Sequence, residues 1–328
     1  MKRKKLAAAA ALVCTAAPAL AQSSVNISGL LDIGIYRDTH KAWQLGTIQR
    51  SNIALTGQED LGGGMAATFR LSTRFEMDTG QLEGSPDKPF FHDESTVGLK
   101  GGFGHVRLGR ALDAMYAHDW KFDAWANFDR IASPAWDIWH YNFPSDPTAN
   151  NGTPDYGRIN NAVFYDSPKI HGFQLHLSTA ANENVRGQGL SSPEQPWGVS
   201  LLYEGDMFAA MVANEANSRG DTDTFVGLRG NYKDLSLFGA YDRSEAQANQ
   251  SVAKAYTLSA QYVIDVYTLR GGYGRLDVDD VHTQRTYTAS VSYAFSKRTS
   301  VYFDVAYKQY PYLDTDANMF GVGMSHTF

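Results

Sequence analysis

The chain has 328 residues, 43% of them hydrophobic and 20% charged, with 30 Gly, 18 Tyr and 17 Phe. Acidic side chains outnumber basic ones, 35 to 29, and no basic run follows the N-terminus, which argues against a nucleic-acid partner. The single cysteine, Cys14, excludes a disulfide framework.

In chain order the first element is an export signal. Lys2, Arg3, Lys4 and Lys5 precede an apolar run from Leu6 to about Ala17, and Ala19 and Ala21 supply the small residues of an A-x-A cleavage site. Residues 1–21 are expected to be a cleaved signal peptide, and residues 22–328 a single domain. The run is shorter than the roughly 20 residues of a membrane-spanning helix. Cleavage after Ala21 takes four basic side chains and no acidic ones, leaving 25 Lys+Arg against 35 Asp+Glu, a formal charge of −10. Cys14 leaves too, so stability must come from a large core or a closed sheet.

The rest reads as strands. Val25, Ile27, Leu31, Ile33 and Ile35 alternate with Asn26, Ser28, Asp32 and Tyr36. Met65, Ala67, Phe69, Leu71 and Phe75 alternate with Thr68, Arg70, Ser72 and Arg74, and Tyr256, Leu258, Ala260, Tyr262 and Ile264 alternate with Thr257, Ser259, Gln261 and Val263. Tyr287 to Phe295 and Phe320 to Phe328 repeat the pattern. Period two is the strand signature, and recurrence in segments of roughly ten residues is the mark of a membrane barrel.

Connections come in two alternating kinds. Short ones fall at Glu59–Gly64, Gly101–Gly104, Ser167–Gly172, Glu204–Asp206, Lys233–Asp234, Ile264–Asp265 and Ser296–Arg298. Long polar ones are expected at 37–48, 76–93, 112–157, 182–196, 217–222, 244–253, 276–284 and 309–317. Seven short and eight long connections join sixteen strands with both termini on the short-turn side, and a sheet of this size avoids open edges by closing. The fold class is therefore all-β, a transmembrane antiparallel barrel of 16 strands.

Several of these segments resemble the general porins of Gram-negative bacteria, of the beta-proteobacterial type. The matching segments are Ser24–Asp32, Thr56–Gly64 followed by Phe69, Val97–Gly104 with Arg107–Arg110, Asn160–Pro168, Ser296–Thr299 and the terminal Phe328. The resemblance runs from about residue 22 to the end and is strongest at the turns. It implies a homotrimer of sixteen-stranded barrels in the outer membrane, among lipid and lipopolysaccharide. It also implies a third external loop folded inward to narrow each pore, and a terminal Phe328 read by the outer-membrane assembly machinery. The implied function is passive diffusion of small ions and hydrophilic solutes.

If the apolar stripe faces lipid, the alternate positions line water. They include Arg50, Arg70, Arg74, Lys100, Arg107, Arg158, Arg229 and Arg270, against Asp32 and Glu94. Charged side chains are costly on the lipid face but solvated in a lumen. A basic wall of Arg50, Arg70, Arg74, Arg107 and Arg158 would lower the barrier for anions; alternatively, some of these arginines hold the inward loop through salt bridges. Relatives often carry basic residues just before Ser95, where this chain has His92, Asp93 and Glu94. That departure points to a weak anion preference.

The 111–157 segment is the inward-loop candidate. It holds Trp120, Trp125, Trp136 and Trp139, with Asp113, Asp119 and Asp123 as candidate constriction acids. One reading is an aromatic and acidic constriction selecting planar, aromatic or organic-acid solutes; the other is that the rings pack the loop against the wall. The chain has no G-x-S-x-G, P-loop or H-E-x-x-H motif, so no catalytic, cofactor or metal residue is assigned. Asp277–His282 lacks EF-hand spacing and reads as an external loop. A barrel enzyme would need clustered catalytic side chains near the rim, and an adhesin would not conduct.

Overall fold

The computed structural model describes residues 24–84, 88–141, 157–180, 194–313 and 315–328. The expected signal peptide and residues 142–156 of the long loop lie outside them. The strands are β1 (Ser24–Asp38), β2 (Gln44–Gly46), β3 (Ser51–Gly62), β4 (Met65–Phe75), β5 (Glu94–Gly101), β6 (Gly104–Leu112), β7 (Arg158–Asp166), β8 (Phe173–Ala180) and β9 (Trp197–Glu204). They continue as β10 (Phe208–Ala216), β11 (Thr222–Tyr232), β12 (Leu235–Glu245), β13 (Val252–Ile264), β14 (Tyr267–Val278), β15 (Val281–Ala294), β16 (Thr299–Tyr310) and β17 (Thr315–Thr327).

Every neighbouring pair is antiparallel, and β1 meets β17 along Leu30↔Thr327 to Asp38↔Met319, which closes the sheet. β2 and β3 both pair with β1, through Gly34↔Gly46 and Leu30↔Asn52, so they are two halves of one interrupted strand. The barrel therefore has sixteen staves. Closure pairs the backbone groups of both edge strands, as a sheet in hydrocarbon requires.

The faces follow the alternation. Val25, Ile27, Phe69, Val97, Leu258, Phe303, Val322 and Met324 are exposed on the outer face, while Asp32, Ser72, Thr257, Ser259, Thr286 and Asp304 point inward and are buried. Outward aromatics gather where strands meet the short turns: Phe103, Phe173, Phe208, Tyr232, Tyr262, Tyr267 and Phe295. Such a girdle suits the membrane interface. All seven short connections fall where expected. In the first, Gly62, Gly63 and Gly64 all have positive φ, 77°, 62° and 78°, a run that residues with a Cβ would not tolerate.

Two expected long connections are short: that at 309–317 narrows to residues 311–314, and that at 276–284 to a two-residue turn. β14 and β15 extend to Val278 and Val281, leaving Asp279 and Asp280 alone in the turn at φ 50° and 61°. Two consecutive left-handed residues make the tight hairpin turn that matches strand twist, and Asp tolerates that region. The aspartate run at 277–280 looked like a solvated loop because turn-forming and loop-forming acids are the same residue type.

Candidate functional site

The interruption between β2 and β3 is built by one side chain. Residues 47–51 stand opposite only 31–33 of β1, and Asp32 occupies the middle of that gap. Its Oδ1 accepts the backbone N–H groups of Ile48 and Gln49 at 2.9 and 2.7 Å, and its Oδ2 accepts the Tyr302 hydroxyl at 2.6 Å. The bulge so fixed delivers Arg50 to the inner face, where its guanidinium lies over the Trp136 and Phe128 rings at 4.7 and 5.3 Å. Among the described residues Arg50 has no ion pair, and its Nε has no hydrogen-bond partner.

Two carboxylates organise the other arginines. Asp93 accepts from Arg74 Nε at 2.8 Å and from an Arg158 terminal nitrogen at 2.5 Å. One step along, Glu94 binds Arg70 at 3.0 Å and Arg107 at 3.1 Å, and Arg107 also reaches Asp166 at 3.4 Å. Across the first group, Arg130 of the loop binds Glu76 and Glu83 at 2.9 and 2.8 Å. Four of the five sequence-predicted arginines are thus tied in two neighbouring pairs, Arg74 with Arg158 by Asp93 and Arg70 with Arg107 by Glu94, while Arg50 stands outside both.

Residues 113–141 run along the inner wall and bond to inward-facing side chains of many strands. Ala114 donates to Ser178 at 3.0 Å and accepts from Ser200 at 2.7 Å, and Ala124 donates to Ser259 at 3.1 Å. Arg270 donates to the Ala124 carbonyl at 2.9 Å, the Trp125 indole to Ser290 at 3.2 Å, and Lys308 pairs with Asp137. Phe122, Ile138 and Trp139 pack with Met211, Phe225, Ala253 and Leu276 of the wall. Gly272 and Gly274 leave room for Trp125, Pro134 and Ile138, each 2.8–3.2 Å from where a Cβ would stand. Most of the loop's rings are therefore its own core against the wall.

The three predicted loop acids lie beneath that segment, almost fully buried at 3%, 2% and 3% exposure for Asp113, Asp119 and Asp123. Asp113 accepts the N–H groups of Met115 and Tyr116 at 2.7 and 2.9 Å. Asp123 accepts those of Trp125 and Asn127 at 3.1 and 3.0 Å, with the Ser133 hydroxyl at 2.9 Å. They fold the loop's turns in the manner open to short carboxylates. Burial pushes the Asp123 carboxyl up to about 6, against the pull of those hydrogen bonds, and raises Asp113 likewise.

Asp119 serves a different centre. His140 Nε2 meets Asp119 at 2.7 Å, and its Nδ1 meets Asp223 and Asp242 at 2.8 and 2.9 Å. Burial alone would lower this imidazole, but the charges of Asp242 and Asp223 outweigh it and raise His140 well above its usual range. The charged His140 is a pin between loop and wall. Sequence reading missed it, as it missed Arg130: a lone histidine or arginine in a loop carries no spacing signal, and its carboxylates come from distant strands.

The comparisons with known proteins agree with this geometry. The sequence matches the family described as Gram-negative porin over residues 8–311. It is 33% identical over 188 residues to outer membrane porin protein 32 of Delftia acidovorans, covering 55% of this chain and 50% of that protein. It is 25% identical over 345 residues to the major outer membrane protein P.IB of Neisseria gonorrhoeae, 91% of this chain and 92% of the other. Among solved structures, the anion-selective porin from Comamonas acidovorans superposes with a TM-score of 0.80 at 21% identity, over 94% of this chain and all of that one. The trimer form of OmpT from Vibrio cholerae gives 0.67 at 15% identity, over 93% of this chain. A closed sixteen-stave barrel with an apolar outer face, a charged inner face and this family match leaves one assignment: the chain belongs to the Gram-negative porins, passive diffusion channels of the bacterial outer membrane.

Proposed function

We propose that this porin passes small hydrophilic solutes with a weak preference for anions, set where residues 113–141 approach Arg50, in the break before β3, and the arginines of β4, β6 and β7. The pore-lining residues are Arg50, Arg70, Arg74, Arg107 and Arg158, with the half-buried Glu94 as a counter-charge to Arg70 and Arg107. The observation that carries the reading is the state of Arg50: no acid lies within ion-pair distance among the described residues, while its partners on the loop are neutral rings. Around it Arg74, Arg110, Arg130 and Arg158 outnumber Asp93, Glu76 and Glu83, so the group keeps positive charge. The preference is weak because most of these guanidiniums are paired. Asp113, Asp119 and Asp123 contribute little opposing field, being buried beneath the loop.

The same reading includes export on residues 1–21, assembly guided by Phe328, and a homotrimer embedded in outer-membrane lipid and lipopolysaccharide. The trimeric form of a similar barrel supports the oligomer. An aromatic sieve for planar acids finds less support, since Phe122, Trp125 and Trp139 are buried against the wall.

Single-channel recording in a planar bilayer under a salt gradient tests the preference. A reversal potential on the anion side that moves toward zero in Arg50→Ala is the expected result. A cation-side potential in the native protein would overturn it.

A further inference from the structure

The short-turn end of the barrel holds a second cluster, which meets the conduction residues only where Asp166 pairs with Arg107. His105, Asp166 and His176 are direct cross-strand partners on β6, β7 and β8, so the ladder lines them up in one row on the inner face. His118 of the loop lies over the end of that row, its ring stacked on His176 with centroids 3.7 Å apart and planes 30° apart. Asp166 accepts from His176 Nδ1 at 2.7 Å, which leaves Nε2 as the free lone pair of that ring. His176 is 2% exposed, yet its Nε2 has no hydrogen-bond partner, and the buried Nδ1 of His118 has none either.

Two orphaned imidazole nitrogens buried side by side are costly unless something binds them. Water could satisfy one; two stacked imidazoles beside a carboxylate are the donor set of a borderline transition-metal ion. We propose that His118, His176 and Asp166 bind a Zn²⁺-class dication that ties the inward loop to the wall at β7 and β8. One donor atom from each of the three already lies within 4.8 Å of the other two. The donors of a tetrahedral zinc stand about 3.4 Å apart, so binding asks for a contraction of at most about 1.4 Å. The His140 centre differs: both of its ring nitrogens are already bonded to carboxylates.

The test is a Zn²⁺ titration of the purified, detergent-solubilised protein by isothermal calorimetry, with folding checked by heat-dependent gel mobility. One saturable site per chain is expected, weakened at least tenfold in H118Q and in H176Q and unchanged in H171Q, whose histidine sits exposed in the turn before β8. H118Q alters only a loop side chain, so it decides the matter should H176Q fail to fold. No saturable binding by the native protein, or binding that H118Q leaves intact, would overturn the proposal.

Discussion

Asp93 carries more of the inner wall than its size suggests. It stands between two guanidiniums, and with it in place Arg74 and Arg158 lie side by side, their side chains 7% and 2% exposed. Removing one partner of a buried ion pair leaves an uncompensated charge and costs about 3–5 kcal/mol. Asp93→Asn removes it from two arginines at once. The expected result is a barrel that unfolds at clearly lower denaturant, together with a reversal potential shifted further toward the anion side. A variant as stable as the native protein would show that Glu83, 3.9 Å from Arg74, suffices to hold the group. That Asp93 and Glu94 matter was visible in the sequence as a departure from relatives. That they pair with the arginines was not, because Asp93 meets Arg158 only through a pairing 65 residues apart.

At the scale of the loop, its acids make its docking pH-dependent. An exposed aspartate titrates near ~3.9, and burial raises Asp123 to about 6. A group raised in the docked state favours docking fully below the lower value and loses that contribution as pH rises through the upper one. Asp123 and Asp113 therefore loosen the loop between about pH 4 and 6. His140, raised well above its usual range, keeps its charge through that window and loses its contribution only at higher pH. Acrylamide quenching of the tryptophans measures this: access rises from pH 4 to pH 7 in the native protein and rises less in Asp123→Asn. Equal slopes would show that Asp123 is not the titrating group. The strands were legible because membrane alternation repeats over every stave, whereas a carboxylate folding an Asx turn and one facing a pore look alike in sequence. Only the placement of Ser259, Ser290 and Phe225 opposite the loop reveals which one Asp123 is.

For the whole molecule, the barrel closes at the seam where the ends of the chain meet, along nine residue pairs of β1 and β17. Counting turns in the sequence gives an even number of staves and so implies closure, but it does not say what makes the last contact. The structure does: Gly29 and Phe328 exchange both backbone hydrogen bonds, at 3.2 and 3.1 Å, and the Phe328 ring lies across the glycine. A Cβ on Gly29 would stand 2.7 Å from that ring and closer still to the Asn52 carbonyl. Contacts that short force backbone to move, because the carbonyl belongs to the β1–β3 ladder and has no freedom to turn away. Gly29→Leu should therefore open the seam between β1 and β17 and expose unpaired edges to lipid, where each orphaned group costs several kcal/mol. Refolded from urea into detergent, it should give far less of the heat-modifiable, fast-migrating form on gels than the native chain. Gly230→Leu is the matched control, since that outward glycine has open space around it and should refold as the native protein does. If both variants refold equally well, the Phe328 contact ornaments a seam held by the β1–β17 ladder, and the register from Leu30↔Thr327 to Asp38↔Met319 is sufficient on its own.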